Sequence, residues 1–387
     1  MRNFRVVSIG GIPIYLNVTL VLFLPVLGWL ISRPEQIAAY AGAIEVFAGR
    51  PVDAAALSSG STPLVLGAAG AVGLMVGVLI HELGHSWAAR RYDIEIVSIT
   101  LWIFGGMARM DDLPENWSVE FWVALAGPVT SVLLSTLFFG VLQVTPASAP
   151  VATFVVGWLA VVNLSLAVFN MIPAFPMDGG RILRALLARN QPYATATLTA
   201  ATVAKGFAIF GAIFAILGGA PLLILISLFV YVAATSESRA TVLRQTLAGF
   251  TARDLMHESR GVASSTSVAD LLDRVLAERR TTFPVLDGGA PLGVVTLDHA
   301  RSVAESDRQT TTVGDVMDRS VATVTPDRDA FEVILEMGEH GQDTVFVVED
   351  GDLLGVITQA DIAAAIEVVQ GVGPRQQPMP DPPEGYA

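Results

Sequence analysis

The chain has 387 residues, of which 52% are apolar and only 15% charged, with a mean hydropathy of +0.58. These values lean away from an ordinary soluble domain, in which about a quarter of residues are charged. Its net charge of −13 divides unevenly: residues 1–250 carry 13 Lys/Arg against 12 Asp/Glu, while residues 251–387 carry 10 against 24. An apolar, nearly neutral half therefore precedes an acidic one, which is a poor partner for nucleic acid or anionic lipid. There are no cysteines, so disulfides and Cys-ligated metal are excluded.

Six apolar spans are expected from the first half, at residues 12–31, 63–90, 119–142 and 151–172, then two short spans within 206–233 parted by Gly218-Gly219-Ala220-Pro221. Arg2 and Arg5 precede the first span, Arg90 and Arg91 follow the second, Arg181, Arg184, Arg189 and Lys205 lie between the fourth and fifth, and Arg239 and Arg244 follow the sixth. Positive-inside reasoning then gives a multi-pass cell-membrane protein with both termini cytoplasmic. Between spans two and three, residues 94–110 are rich in β-branched and aromatic side chains, and Gly105-Gly106 is the expected turn of a small membrane-associated hairpin. Its edge is either purely structural or open to an extended peptide by strand addition.

The second span ends in His81-Glu82-Leu83-Gly84-His85. Residues four apart share a helical face, so both imidazoles can meet one metal ion, and Glu82 can reach a water beside it. Such side chains are costly in hydrocarbon and point to function. A hydrolytic zinc site takes three protein ligands and one open position. The remaining histidines, His257, His299 and His340, have no ligand-like spacing. Asp178 is the candidate third ligand, in Asn170-Met171-Ile172-Pro173-Ala174-Phe175-Pro176-Met177-Asp178-Gly179-Gly180. The prolines break the helix there, and broken backbone at membrane depth belongs beside a cavity. The alternative is that Asp178 merely caps the next helix. Asn170 is placed to hold a substrate carbonyl or developing oxyanion. Asn163 either faces the same cavity or makes an interhelical hydrogen bond, and Gly73-x-x-x-Gly77 reads as close helix packing.

The two motifs, together with Gly127-Pro128 in span three, make residues 1–240 resemble the site-2 protease family of intramembrane zinc proteases. The resemblance implies that His81, His85 and Asp178 bind one Zn2+ per chain, that Glu82 is the general base, and that Asn170 lies at the active site. The substrate would be a membrane-anchored protein whose transmembrane helix is cut after local unwinding, with the lipid bilayer as medium.

Beyond residue 250 a repeat of about 61 residues appears. Asp254-Leu255-Met256 returns as Asp315-Val316-Met317, and Gly293-Val294-Val295-Thr296 as Gly355-Val356-Ile357-Thr358. Each unit reads β-α-β-β-α and resembles a CBS domain, giving a first at 251–308, a second at 309–370, and a disordered Pro- and Gln-rich tail at 371–387. That resemblance implies an adenine nucleotide held by Thr358 and Asp361. In the first repeat Asp298 follows Thr296 one position early, which departs from the pattern. A pair serving homodimerisation or substrate gating without ligand is the alternative.

The fold class expected is thus a polytopic α-helical membrane protein with a small β-hairpin, joined to a cytoplasmic α/β CBS pair. The function expected is a zinc-dependent intramembrane endopeptidase modulated by that pair. A CBS-regulated channel or transporter would leave the ordered ligand set unexplained. A non-catalytic membrane scaffold would leave every catalytic position occupied without use.

Overall fold

In the computed structural model, residues 3–103, 105–110, 116–258 and 260–372 are described, and the chain divides into two units, Met1–Thr241 and Val242–Ala387. The first unit opens with β1 (Asn3–Ile9) and β2 (Ile12–Asn17), joined by Gly10 and Gly11 at φ 58° and 84°. A two-residue hairpin turn with both central residues at positive φ suits glycine. Asn17 ends β2 and caps α1 (Val18–Ile31) by accepting from Thr19 N at 3.0 Å. The apolar run at 12–31 is therefore not one helical span. Ile12 and Ile14 alternate inward as a strand, and α1 has 14 residues, or about 21 Å of helix, short of the roughly 30 Å hydrocarbon core. Pro34 then opens α2 (Pro34–Ala48), which bends 75° away from α1.

After the short α3 (Ala54–Leu57) come α4 (Thr62–Arg90), β3 (Ile96–Trp102), β4 (Gly105–Met110), α5 (Trp117–Val144) and α6 (Pro150–Asn170). They are followed by α7 (Asp178–Ala188), α8 (Tyr193–Gly218) and α9 (Pro221–Thr246). Among the described residues five helices, α4, α5, α6, α8 and α9, are long and apolar enough to cross a membrane, or six spans if α1 and α2 together count as one. The break at Gly219 is where the sequence placed it, but the helices flanking it have 26 residues each and are not short. The expected hairpin is half of a four-stranded sheet in the order β1-β2-β3-β4, with β2 and β3 parallel. Trp102 pairs with Gly105 and Leu101 with Gly106, so the two glycines open β4 and do not form the turn. Ile12, Ile14, Ile99 and Leu101 of this sheet pack on Leu20, Val78 and Ala89. The sheet is thereby fixed against the helix that carries the two histidines.

Among the described residues the second unit holds two three-stranded sheets. The first repeat comprises α10 (Ala252–Leu255), β5 (Val262–Ala263), α11 (Val268–Glu278), β6 (Thr282–Asp287), β7 (Ala290–Thr296) and α12 (Leu297–Arg301). The second comprises α13 (Val313–Val316), β8 (Ala322–Val324), α14 (Ala330–His340), β9 (Thr344–Glu349), β10 (Asp352–Thr358) and α15 (Gln359–Val372). Thr251 and Thr312 open the two repeats with capping boxes, and the Thr312 hydroxyl and amide together hold the Asp315 carboxyl below its usual range. The repeats exchange their leading segments. Ala252 and Leu255 sit in the core of the second sheet, while Val313 sits in that of the first. Residues 373–387, most of the expected tail, lie outside the described residues.

Candidate metal centre

The site is built on α4, α5 and the start of α7. His81 and His85 are 3% and 4% exposed, and their Nε2 atoms lie 3.2 Å apart. Asp178 Oδ2 is 3.1 Å from His81 Nε2 and 3.2 Å from His85 Nε2. Among the described residues these three form the group able to share a metal ion, their ligand atoms all within 4.8 Å of one another. Asp178 does not act as a side-chain cap: it is the first residue of α7, with Met177 in the capping position.

The outer ring nitrogens decide whether the donors fit a metal. His85 Nδ1 is 2.7 Å from Val123 O. A carbonyl only accepts, so Nδ1 carries the proton and Nε2 presents its lone pair inward. His81 Nδ1 is 2.8 Å from Ser131 Oγ, a hydroxyl that can accept from it in the same arrangement. Two imidazole lone pairs and a carboxylate converging at one point, each imidazole held from behind, suit Zn2+.

Both outer partners lie on α5, and sequence reasoning did not identify them. Glu120, Val123, Gly127 and Ser131 are buried along a single stripe of this helix. A Cβ at Gly127 would stand 2.7 Å from His81 Nε2 and 2.5 Å from His85 Cε1, so the two rings occupy the space that glycine leaves. Glu120, 2% exposed, pairs with Arg184 of α7, and Arg184 Nε donates to Glu120 Oε1 at 2.9 Å. Arg184 also pairs with Glu237 of α9 and lies over the rings of Phe175 and Tyr193. The helix beginning with Asp178 is thus tied to α5 as well. The sequence signal was the i, i+4 pair Gly127 and Ser131; the Glu120–Arg184 pair spans 64 residues and had none.

A cavity of about 920 Å3 opens on His81, His85 and Asp178 and is lined by Glu82, β4, Asn170 and the apolar faces of α8 and α9. β4 is an edge strand of its sheet, and Gly106 lies against Glu82: a Cβ there would be 2.8 Å from Glu82 Oε1. Close approach to a carboxylate, not turn geometry, explains that glycine. Asn170 lines the cavity and spends one amide hydrogen on Leu166 O at 2.9 Å. Asn163 is not among the cavity residues; its side chain lies against Gly77 of α4, but its Nδ2 donates to Leu159 O of its own helix at 2.8 Å and not across to α4. Gly73 and Gly77 do mark a close crossing, against Leu159 and Asn163 of α6.

In the second unit, Thr358 N and Oγ1 donate to Asp361 Oδ2 at 2.8 and 2.6 Å, and His257 Nδ1 is 2.9 Å from the same oxygen. In the first repeat His299, three residues after Thr296, takes the corresponding place, with Thr296 N donating to His299 Nδ1 at 3.4 Å. The Asp298 side chain is 93% exposed.

Residues 69–153 and 143–213 match the model of peptidase family M50, and residues 252–305 and 313–368 match the CBS domain. The zinc metalloprotease MJ0392 of Methanocaldococcus jannaschii is 32% identical over 95% of this chain and 97% of its own. The zinc metalloprotease Rip3 of Mycobacterium tuberculosis is 35% identical over 79% of this chain and 81% of its own. The solved site-2 protease from M. jannaschii is 34% identical, covering 62% of this chain and 96% of that one at a TM-score of 0.42. A helical membrane unit with a buried His-His-Asp centre, followed by paired α/β modules, defines the class as a membrane metalloprotease with CBS domains. The chain belongs to peptidase family M50, the site-2 protease family of intramembrane zinc metalloproteases.

Proposed function

We propose that this protein hydrolyses peptide bonds within or beside the transmembrane helices of membrane-anchored proteins, at the centre formed by His81, His85 and Asp178. The convergence of those three side chains at the floor of an apolar cavity carries the reading. Zinc held there supplies the Lewis acidity that polarises water and the scissile carbonyl. Glu82, on the same helix and at the cavity, accepts the proton of the attacking water and returns it to the leaving nitrogen. Asn170 has a second amide hydrogen to offer the developing oxyanion. β4, as an edge strand lying against Glu82, is suited to receive the unwound substrate as an added strand. The roles of these residues, the orientation with both termini cytoplasmic, and modulation by the CBS pair all belong to this proposal. So does an adenine nucleotide at Thr358 and Asp361: binding there must displace hydrogen bonds that Asp361 already accepts.

The test is reconstitution of the full chain with zinc and a transmembrane peptide, comparing wild type with Glu82→Gln and Asp178→Ala. Wild type is expected to cleave; Glu82→Gln is expected to keep zinc without cleaving, and Asp178→Ala to lose both. Cleavage surviving both substitutions refutes the site. Titration of the same preparation with AMP and ATP, reading cleavage rate and binding, tests the modulation.

A further inference from the structure

Ser227, in the α9 wall of the cavity, is not explained by the chemistry above. Serine and threonine hydroxyls in apolar helices commonly bond the carbonyl four residues back. Thr130, Ser165 and Thr235 do so here, at 2.7, 2.9 and 2.8 Å. The Ser227 hydroxyl, among the described residues, makes no hydrogen bond, although the residue is 5% exposed and lines the cavity. Gly211 of α8 gives it room, since a methyl there would stand 2.8 Å from Ser227 Oγ. Around it the wall is apolar, with Phe207, Phe210, Leu223 and Val230. The hydroxyl is not one of the fully enclosed unpaired polar atoms, so it is accessible and can donate to or accept from a partner group that enters the cavity.

A transmembrane substrate presents such a partner only at one stage. While helical, its backbone groups bond one another; once unwound for cleavage, its N–H and C=O groups are stranded in an apolar cavity. Strand addition to β4 satisfies groups on one edge of the extended segment, and those on the other edge still need partners. We propose that Ser227 holds the unwound substrate, its hydroxyl pairing with a backbone carbonyl or amide that has lost its helical bond. This rests on the protease reading above and adds to it a substrate-holding residue on α9. Because the bond forms only with the unwound segment, it stabilises the reacting state and not the helical complex. Its loss should therefore lower kcat and leave KM in place.

The experiment measures zinc content, kcat and KM of the full chain in vesicles on a transmembrane peptide, for wild type, Ser227→Ala and Ser227→Thr. Ser227→Ala is expected to keep its zinc and lose about three- to tenfold in kcat at unchanged KM, and Ser227→Thr to recover most of it. An unchanged kcat in Ser227→Ala, or a change in KM alone, overturns the proposal while leaving the protease reading intact. Failure of the protease reading shows separately, as cleavage by Glu82→Gln. Should the alanine variant lose zinc, Ser227→Thr and Ser227→Val, near-isosteric with and without the hydroxyl, repeat the comparison. Equal kcat in that pair, or loss of zinc in both, marks a packing role and overturns the proposal.

Discussion

Replacing Gly127 by alanine tests the metal centre without touching a ligand. The added Cβ would stand 2.7 Å from His81 Nε2 and 2.5 Å from His85 Cε1. Heavy-atom contact begins near 3.5 Å, so one or both rings must retreat by about 0.8 Å or more. Metal–ligand distances tolerate about 0.2 Å. Neither ring can absorb that retreat while keeping its outer bond, because His81 is held to Ser131 at 2.8 Å and His85 to Val123 at 2.7 Å. The loss of zinc affinity should exceed the roughly 10–100-fold of a lost outer partner. The assay is competition for zinc against chelators of graded affinity, on protein shown by circular dichroism to be folded. Gly140→Ala is the control: it lies on the same helix with nothing within 4 Å of the added methyl, and should bind zinc as wild type does. Wild-type affinity in Gly127→Ala would refute the arrangement of the two rings against α5.

Ser131→Ala should weaken zinc by about tenfold with the fold unchanged, since His81 loses the partner that orients it; chelator competition measures it, and unaltered affinity counts against that hydrogen bond. Gly106→Ala should separate binding from chemistry, because its methyl would press on the Glu82 carboxylate at 2.8 Å. Zinc is expected to stay while kcat drops by about 10²-fold, the usual cost of a 1 Å misplacement, and full activity would place β4 away from Glu82. Glu120→Ala leaves Arg184 without its buried partner and should destabilise the membrane unit by about 3–5 kcal/mol, read as a lowered unfolding temperature in detergent. An unchanged melt would mean the pair is not buried as described. Chelation of zinc should abolish cleavage of a transmembrane peptide and addition of zinc restore it; activity persisting without metal removes the basis of the mechanism.

The cluster of His81, His85 and Asp178 was legible in the sequence because each part of it violates a local rule. Two histidines and a glutamate interrupt an apolar helix, and Asp178 follows two prolines that forbid a regular one. What escaped were contacts in which no local rule is broken. β1 and β2 were hidden because Ile12-Pro13-Ile14-Tyr15-Leu16 is apolar enough to extend the span behind it, and its alternation is too short to dominate the composition. Asn17, which caps α1, was the available sign of a boundary. Gly105 and Gly106 favoured a turn by type, whereas Gly106 is required by its approach to Glu82, a relation between elements that only packing reveals. Glu120 reads as the polar margin of a span; its pairing with Arg184 becomes visible only when α5 and α7 are brought together.

That pairing completes a pattern that gives α5 a definite task, although it contributes no ligand. One stripe of the helix meets every component of the centre: Val123 O fixes the tautomer of His85, Ser131 orients His81, Gly127 makes room for both rings, and Glu120 anchors the helix that starts with Asp178. The three clustered side chains come from two helices separated in sequence by 97 residues between His81 and Asp178, and nothing local sets their distance. A rigid third element with contacts to both does. Placing the orienting groups on a transmembrane helix has a further consequence, since a helix has its backbone hydrogen bonds satisfied internally and keeps its geometry in a cavity open to water or substrate. Asn170 and β4, which are suited to meet the substrate, lie instead at a helix end and a sheet edge. The division is physically consistent: the parts proposed to hold a metal, within about 0.2 Å, sit on packed helices, and the parts suited to pairing with an extended peptide sit at edges and ends.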